Sequence, residues 1–269
     1  MFFRLLFVLF LTTFVLSAAR AQTPVVMRDP NAVALAGQAL KALAGVTPLS
    51  DITLQATAAY VAGSDEESGT ATLVARGNNE SLSTLNLSGG TTQEVRNGVA
   101  GVRTGPDGNA HAMATHNCFI DANWFFPALS MAALSADPTL AISYVGPETH
   151  LGQAVYHLVL YHVLSGQTPD VVAVVLRVSA MDLYLDATSL APVAMDFNLH
   201  PDNAANIDVP AEIRFGGYQS FSGVQAPTRI QKYIQNSLVL DLTVTNVTVN
   251  SGVPASTFTL PYVSSGGVQ

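Results

Sequence analysis

A run of alternating apolar and polar residues over the last third of the chain limits its possible folds more than any other feature. Three stretches carry the pattern, over residues 181–199, 211–234 and 238–261. In the third, the apolar positions recur at every second residue: Leu238, Leu240, Leu242 and Val244. This period is typical of strands with one buried face, and Gly216-Gly217 lies where such a chain reverses. The pattern predicts an antiparallel sheet that either closes on its own core or leaves a concave apolar face for a ligand.

The first residues carry the pattern of a secretory signal peptide. Arg4 precedes an apolar run over residues 5–16, and Ala19-Arg20-Ala21 has the small-x-small pattern of a signal peptidase site. A transmembrane anchor is the alternative, but the run is shorter than the roughly 20 residues that span a bilayer. We predict a signal peptide over residues 1–21 and a mature chain without a membrane span. The mature chain is then periplasmic, in a bacterial envelope, or secreted.

Composition excludes several classes of function. The chain is 49% hydrophobic and 11% charged, which suits a folded protein with a sizeable core. Removing Arg4 and Arg20 from its 11 Lys and Arg residues leaves nine, against 19 Asp and Glu, for a net charge of −10. Basic residues are not clustered along the sequence, so we predict no nucleic-acid binding. Cys118 is the only cysteine, which excludes an intrachain disulfide.

Two helices and several further strands are predicted before residue 181. Asp29 and Pro30 begin the first helix and Gly45 ends it, while residues 51–90 form a strand meander. The second helix covers residues 121–134, with Asp121 as its cap and Pro127 in its first turn. Strands resume at residue 142. The strongly apolar residues 171–178 are predicted as a buried strand, with a short helix as the alternative. Without a repeat or a low-complexity linker, residues 22–269 are predicted as a single domain.

Three motifs resemble those of the LolA/LolB-like periplasmic carrier superfamily, which includes lipoprotein carriers and related lipid-binding envelope proteins. They are the hairpin around Tyr184, Asp186 and Pro192, the F-x-x-Y…G-V-x-x-P-x-R-I pattern from Phe215 to Ile230, and the closing sequence from Asn250 to Pro261. The resemblance implies an α+β, mainly antiparallel β fold, namely a strongly curved, unclosed β-barrel. Helices would pack in or across its concave face, beside an apolar cavity that takes acyl chains.

The densest aromatic cluster of the chain is the candidate ligand site. It consists of Trp124, Phe125, Phe126, Leu129 and Met131, on the second predicted helix. One interpretation is ordinary core, with the helix laid on the sheet. The other is a movable plug over an apolar cavity, because two adjacent phenylalanines cannot both point the same way and one of them can face a ligand.

Few residues are candidates for metal binding or catalysis. His111, His116 and His150 are candidate metal ligands, since a zinc site needs three or four ligands converging at about 2 Å. His116 and Cys118 place an imidazole near a thiol, although a buried thiol beside a turn fits the same pattern. The sequence contains neither G-x-S-x-G nor H-E-x-x-H. We therefore predict no enzymatic activity and no cofactor.

Two functions remain open from the sequence. In the first, an exported envelope protein binds a lipid, a lipoprotein acyl chain or another apolar ligand in the concave face of the half-barrel. In the second, the same sheet is filled by its own side chains, and the protein is a non-enzymatic scaffold that binds an envelope protein. An apolar ligand or a lipidated protein is the expected partner in the first case.

Overall fold

A computed structural model describes residues 26–77, 79–120 and 124–263 of the chain. The predicted signal peptide and the predicted start of the mature chain at Gln22 lie outside these residues. Asp121, the predicted helix cap, lies outside them as well. None of the three helices in the described ranges combines the length and the hydropathy that a membrane crossing requires.

The described chain is built mainly of β-strands. The helices are α1 Pro30–Ala44, α2 Pro127–Ala136 and α3 Pro169–Val178. The first eight strands are β1 Asp51–Ala62, β2 Asp65–Arg76, β3 Glu80–Leu87, β4 Gly90–Asn97, β5 Ala100–Thr104, β6 Ala110–Ala112, β7 Leu140–His150 and β8 Gln153–His162. The remaining strands are β9 Met181–Asp186, β10 Pro192–Leu199, β11 Val209–Gly216, β12 Gln219–Phe221, β13 Val224–Ala226, β14 Arg229–Ile234 and β15 Ser237–Val249. Short 3₁₀ turns cover Thr115–Cys118 and Ala255–Phe258.

Thirteen strands form one antiparallel sheet, in the order β6-β5-β4-β3-β2-β1-β15-β14-β11-β10-β9-β8-β7. The first strand pairs with the last, β1 with β15, so that the N-terminal meander and the C-terminal strands join in the middle of the sheet. The edges are β6 and β7, and β12 and β13 form a separate hairpin. The predicted class, mainly antiparallel β with an unclosed sheet, is confirmed.

One face of the sheet carries the main core. Alternate residues of each long strand point into it, as the period of two predicts, and on β1 these include Ile52, Leu54 and Ala56. The apolar residues of α1 and α2 lie in the same core, and the two helices contact each other. The buried face of α1 is rich in alanine, which allows close packing.

The sheet bends strongly, so that distant strands face each other. Lys232 on β14 lies between Ile213 and Leu240, two core residues, and therefore points to the inner face. Glu94 on β4 also points inward. Four strands separate β4 from β14 in the sheet order, yet the two side chains interact electrostatically. Only a sheet that curves back on itself brings them together, so the core-bearing face is concave and the fold is a half-barrel.

The predicted boundaries of α1 are confirmed. Asp29 caps its first turn by accepting a hydrogen bond from the Asn31 N–H at 2.8 Å, Pro30 begins the helix, and Gly45 ends it with φ at 61°. A positive φ is easily adopted by glycine because it has no Cβ.

The predicted start of the second helix is wrong. The helix begins at Pro127, after Phe126 with the non-helical angles φ −132° and ψ 88°. Pro127 therefore lies in the first turn, as predicted, but the aromatic residues precede the helix. Proline disfavours the helical conformation in the residue before it, which explains why the aromatic residues precede the helix.

The strand predicted over residues 171–178 is also wrong, because these residues form the C-terminal part of α3. Thr168 caps the helix, Pro169 begins it, and Arg177 lies in its last turn. These are helix end signals, and they outweigh the β-branched residues between them. Val171 and Val174 are exposed while Val175 and Val178 are buried, so only one stripe of this apolar segment packs.

Candidate functional site

A small apolar cavity of about 230 Å³ lies between α2, the inner face of strands β7 to β10, and the segment that follows the Thr115–Cys118 turn. Its apolar wall is formed mainly by Ile120, Met131, Leu134, Leu160, Met181 and Met195. Cys118 and His162 add polar atoms to the lining. The arrangement provides an apolar space in the concave face of the half-barrel.

Each part of the cavity wall is positioned by the pattern of its own element. Met181 on β9 is paired with Phe197 on β10 and with Leu160 on β8, so that inward-facing residues of three strands meet there. Helix α2 covers this patch with Met131 and Leu134. Methionine side chains are unbranched and flexible, so this wall can adapt to the shape of an apolar ligand.

Arg28 holds the C-terminal end of α2 in place over the cavity by hydrogen bonds. Its guanidinium group donates hydrogen bonds to the carbonyl oxygens of Leu134 at 2.7 Å, Asp137 at 2.7 Å and Leu140 at 3.0 Å. The last carbonyls of a helix have no partner within the helix, so this half-buried arginine satisfies groups at the end of α2. Arg28 is itself held beside β7 by backbone bonds between Met27, Asp29 and Ile142.

The five aromatic and aliphatic residues singled out from the sequence lie in different surroundings. Met131 lines the cavity. Phe125 and Phe126 are fully buried in the main core, and Leu129 is buried beside a second, more open hollow on the other side of α2. Trp124 is half-buried and stands edge-on to Phe125, with ring centroids 5.7 Å apart.

Leu160, Met181 and Met195 are residues of the cavity wall that the sequence analysis did not single out. All three lie on, or next to, strands that the alternation of apolar and polar residues predicted. Their inward-facing positions in that pattern are the signal that could have identified them. The position of α2 on the sheet determines which inward-facing residues line the cavity. The alternation along a single strand does not reveal that position.

The three candidate histidine ligands are not brought into one group within the described residues. His111 is exposed on β6, and His116 contacts the Pro201 carbonyl oxygen at 3.1 Å and the His200 ring. His150 lies elsewhere, stacked on Tyr184 with ring centroids 3.8 Å apart, and its Nε2 is 3.3 Å from Glu212 Oε1.

A group with the composition of a cation site lies on the outer face of the sheet. Ligand atoms of His150, Asp196 and Glu212 are all within 4.8 Å of one another. However, Arg214 already pairs with Glu212 at 2.6 Å, so part of the negative charge is neutralised.

Asp196 Oδ1 is buried and has no hydrogen-bond partner among the described atoms. Burial, reinforced by the charge of Glu212, raises the pKa of Asp196 to about 6.

This pKa leads to a testable pH dependence. The pKa of Asp196 in the folded protein is above its ordinary value of 3.8, so the stability is greatest when the group is protonated and falls as the pH rises from about 4 through about 6. We expect Asp196→Asn to gain about 1 kcal/mol relative to the parent protein between pH 5 and pH 8, after discounting the shift for partial solvent exposure. Urea denaturation at both pH values, with EDTA present, measures this gain.

Asp186, at the end of β9 in the same hairpin as Asp196, is the control for that measurement. Its carboxylate accepts hydrogen bonds from the Thr188 and Ser189 N–H groups, and the backbone bond to Ser189 is the largest of the effects that lower its pKa. Asp186 is ionised in both the folded and the unfolded protein between pH 5 and pH 8, so Asp186→Asn should lose a constant amount of stability relative to the parent protein, without a slope over this range. Equal slopes for the two variants would contradict the assigned environment of Asp196.

Cys118 does not have the surroundings of a reactive thiol. It is buried, and burial raises its pKa, whereas nucleophilic cysteines have a lowered pKa. Its sulfur lies 3.7 Å from the Ala114 carbonyl oxygen, within the 3₁₀ turn. His116 points instead to the loop between β10 and β11, where its Nε2 meets Pro201.

At the sequence level, no protein-family model matches this chain and no curated protein matches it significantly. Similarity appears in the structure. A LolA superfamily protein from Nitrosomonas europaea superposes with a TM-score of 0.54 at 13% identity, over 85% of this chain and 97% of that one. A domain described as an outer membrane lipoprotein-sorting protein, from Vibrio parahaemolyticus, gives a TM-score of 0.53 at 11% identity, over 85% and 96%.

A third similar structure is a DUF1329 family protein from Desulfovibrio piger, with a TM-score of 0.52 at 11% identity, over 85% of this chain and 96% of that one. All three superpositions cover most of both chains. Identities this low carry no information about individual site residues, but the shared path of the chain is extensive. The chain therefore has the LolA-like fold.

Proposed function

We propose that this protein is an exported, non-enzymatic envelope protein that binds the acyl chain of a lipid or of a lipidated protein in its concave face. The observation that carries the proposal is the apolar cavity enclosed by α2 and the inner strands of a LolA-like half-barrel. The similar structure from Vibrio parahaemolyticus is described as a lipoprotein-sorting protein domain, which supports the same class of ligand. Residues 22–269 are proposed to form the whole binding domain after removal of a signal peptide.

Burial of apolar surface would supply most of the affinity. Each square ångström of apolar surface removed from water contributes about 25 cal/mol, and the lining of the cavity is mostly aliphatic side chains. At about 230 Å³ the cavity is smaller than the roughly 300–1,000 Å³ typical of small-molecule sites. A long acyl chain therefore requires α2 to shift or the methionine side chains to repack.

The size of the cavity also favours a second candidate function. Phe125, Phe126 and Leu129 already fill much of the concave face, as expected if the sheet is closed by its own side chains. In that case the protein is a scaffold whose outer surface binds another envelope protein. This candidate predicts a protein without any extractable ligand.

Native mass spectrometry separates the two candidates. The mature protein is purified from the envelope of the cell that produces it, weighed under native conditions, and extracted with organic solvent for lipid analysis. The expected result is a bound lipid in a fixed ratio to protein. A ligand-free mass, together with no uptake of a fluorescent fatty acid, would contradict the proposal and favour the scaffold.

Filling the cavity should abolish uptake. Ala133 lies on α2 at the cavity wall, and Ala133→Trp places an indole ring in the space that a chain would occupy. We expect the affinity for a fluorescent fatty acid to fall at least about tenfold, because the ligand loses its apolar contacts. Fluorescence titration measures the change.

The matched control is Ala136→Trp, the same replacement one turn along α2 at an exposed position outside the lining of this cavity. It should bind the fatty acid like the parent protein. Equal losses in the two variants would show that the ligand binds elsewhere, and circular dichroism confirms that both variants are folded.

A further inference from the structure

Three of the positively charged side chains gather on the concave face, although no basic cluster exists in the sequence. Arg96 and Glu94 lie on β4, and Arg103 faces Glu94 from β5. Lys232 reaches the same region from β14, on the opposite wall of the half-barrel. We call Glu94, Arg96, Arg103 and Lys232 the inner charge cluster.

Both oxygens of Glu94 are occupied by the two arginines. Arg96 Nε lies 2.9 Å from Glu94 Oε1, and Arg103 Nη2 lies 2.7 Å from Glu94 Oε2. Burial opposes ionisation of Glu94, but Arg96, Arg103 and Lys232 outweigh it and lower the pKa of Glu94 to about 2. Glu94 is therefore fully ionised and holds the two guanidinium groups in fixed positions.

Lys232 has no such partner within the described parts of the chain. Its Nζ lies over the Trp124 ring, 5.7 Å from the centroid, and it forms neither a hydrogen bond nor an ion pair there. Burial lowers the pKa of Lys232 to about 8, with Glu94 opposing the shift and Arg96 and Arg103 adding to it. Lys232 is thus still charged at neutral pH.

The inner charge cluster carries an excess of positive charge. Three cations surround one carboxylate, and Asp202, which acts on Arg103 from the loop between β10 and β11, is the further acidic group whose charge reaches that arginine. Even with Asp202 counted, one positive charge is left over among the described residues of this region. An enclosed charge without a partner is costly, so stability alone does not account for this excess of positive charge.

The cluster borders the apolar cavity and is open to solvent. Arg96 Nη1 donates to the carbonyl oxygen of Ile120 at 3.4 Å, and Ile120 lines the cavity. Cys118, also in the lining, is close enough for its thiol to respond to the charges of Arg96, Glu94 and Arg103. The Arg103 side chain is 59% exposed, so an anion can reach it from the solvent.

We infer that Lys232 and Arg103, supported by Arg96, bind the anionic headgroup of the lipid whose acyl chain enters the apolar cavity. This inference rests on the proposed function and extends it to a class of ligand, an amphiphile with a phosphate or carboxylate group. Arginine and lysine both donate charge-assisted hydrogen bonds to such groups. The ammonium group of Lys232 has no hydrogen-bond partner among the described residues, and a bound headgroup would supply one.

The test compares two fluorescent phospholipids with identical acyl chains, phosphatidylglycerol and phosphatidylcholine, titrated into the full mature protein. We expect phosphatidylglycerol to bind about tenfold more tightly, the difference that one or two charge-assisted hydrogen bonds supply. Lys232→Met and Arg103→Gln should each remove most of this preference and weaken phosphatidylcholine much less, because the choline ammonium group already neutralises the phosphate of that lipid. Lys232→Met should also keep or raise the melting temperature, because it removes a buried charge to which no described residue is hydrogen-bonded.

Arg229→Gln is the matched control. Arg229 is also 59% exposed and pairs with an aspartate, Asp241, but it points to the outer face of the sheet. This variant should keep the preference for phosphatidylglycerol. Equal loss in Arg229→Gln and Arg103→Gln would mean that the preference follows net charge alone, and the inference would be overturned.

The remaining outcomes separate this inference from the function on which it rests. If both phospholipids bind equally well to the parent protein, the headgroup site is wrong while the acyl-chain site stands. If neither binds, the proposed function itself fails. Glycerol phosphate without acyl chains should compete only weakly; competition as strong as that of phosphatidylglycerol would show a site for a soluble phosphate and overturn the assignment to a lipid.

Discussion

Replacing Phe126 with alanine is expected to lower the free energy of unfolding by about 3–5 kcal/mol, the range for removing a buried phenylalanine ring. Phe126 is 0% exposed and lies in the main core, immediately before the first residue of α2. Its ring is surrounded by protein on all sides, so the substitution leaves a cavity that the neighbouring side chains fill only in part. Urea denaturation followed by circular dichroism measures the loss.

Phe119→Ala is the matched control, because it removes the same ring from a half-buried position on the cavity wall. We expect this variant to lose less stability and more affinity for a fluorescent fatty acid than Phe126→Ala. The comparison decides between the two interpretations of the aromatic segment. If Phe126→Ala instead weakened binding while leaving stability nearly unchanged, Phe126 would act as a plug and its burial in the core would be incidental.

The fold class could be predicted from the sequence because its main signal is local. Alternation along residues 238–249 depends only on which face of β15 meets the core, and Leu242 and Val244 occupy the expected positions. The ends of α1 were equally local, since Asp29, Pro30 and Gly45 act on the turns in which they stand. In both cases the residues that determine the structure are neighbours in the chain.

Residues 171–178 show where a local signal is ambiguous. A short run of valine and leucine has no clear period, so it fits a buried strand and a helix equally well. The deciding residues lie outside the run, in the cap at Thr168 and in Pro169. The exposure of Val171 and Val174 could not be inferred from composition, because apolar residues on a partly packed helix look like those of a core strand.

The inner charge cluster could not be predicted from the sequence, for a different reason. Glu94 and Arg96 are two residues apart and share a face of β4, but their pattern does not reveal whether that face is concave or convex. Lys232 is separated from them by more than a hundred residues and joins them only because the sheet curves back. The absence of a basic cluster in the sequence was therefore compatible with an interior site that carries a net positive charge.

The largest effect expected from a single polar side chain concerns Arg28. Arg28→Ala should lower the free energy of unfolding by about 2–3 kcal/mol, since it removes three hydrogen bonds from a charged donor to carbonyl oxygens at and beyond the end of α2. It should also speed the exchange of a bound fatty acid, because α2 forms one wall of the cavity. Urea denaturation and stopped-flow fluorescence measure the two effects separately.

Arg177 provides the control, because its guanidinium group also donates to backbone carbonyls, those of Ala205 and Asn206, but at the surface and away from α2. Exposed interactions of this kind contribute less than about 1 kcal/mol, so Arg177→Ala should change stability slightly and ligand exchange not at all. Arg28→Lys keeps the charge but loses the planar fork that reaches three carbonyls at once, and it should behave more like alanine than like arginine. If Arg28→Ala destabilised the fold but left exchange unchanged, α2 would be a fixed wall, and a ligand would have to enter the cavity through the gap between the two edges of the half-barrel.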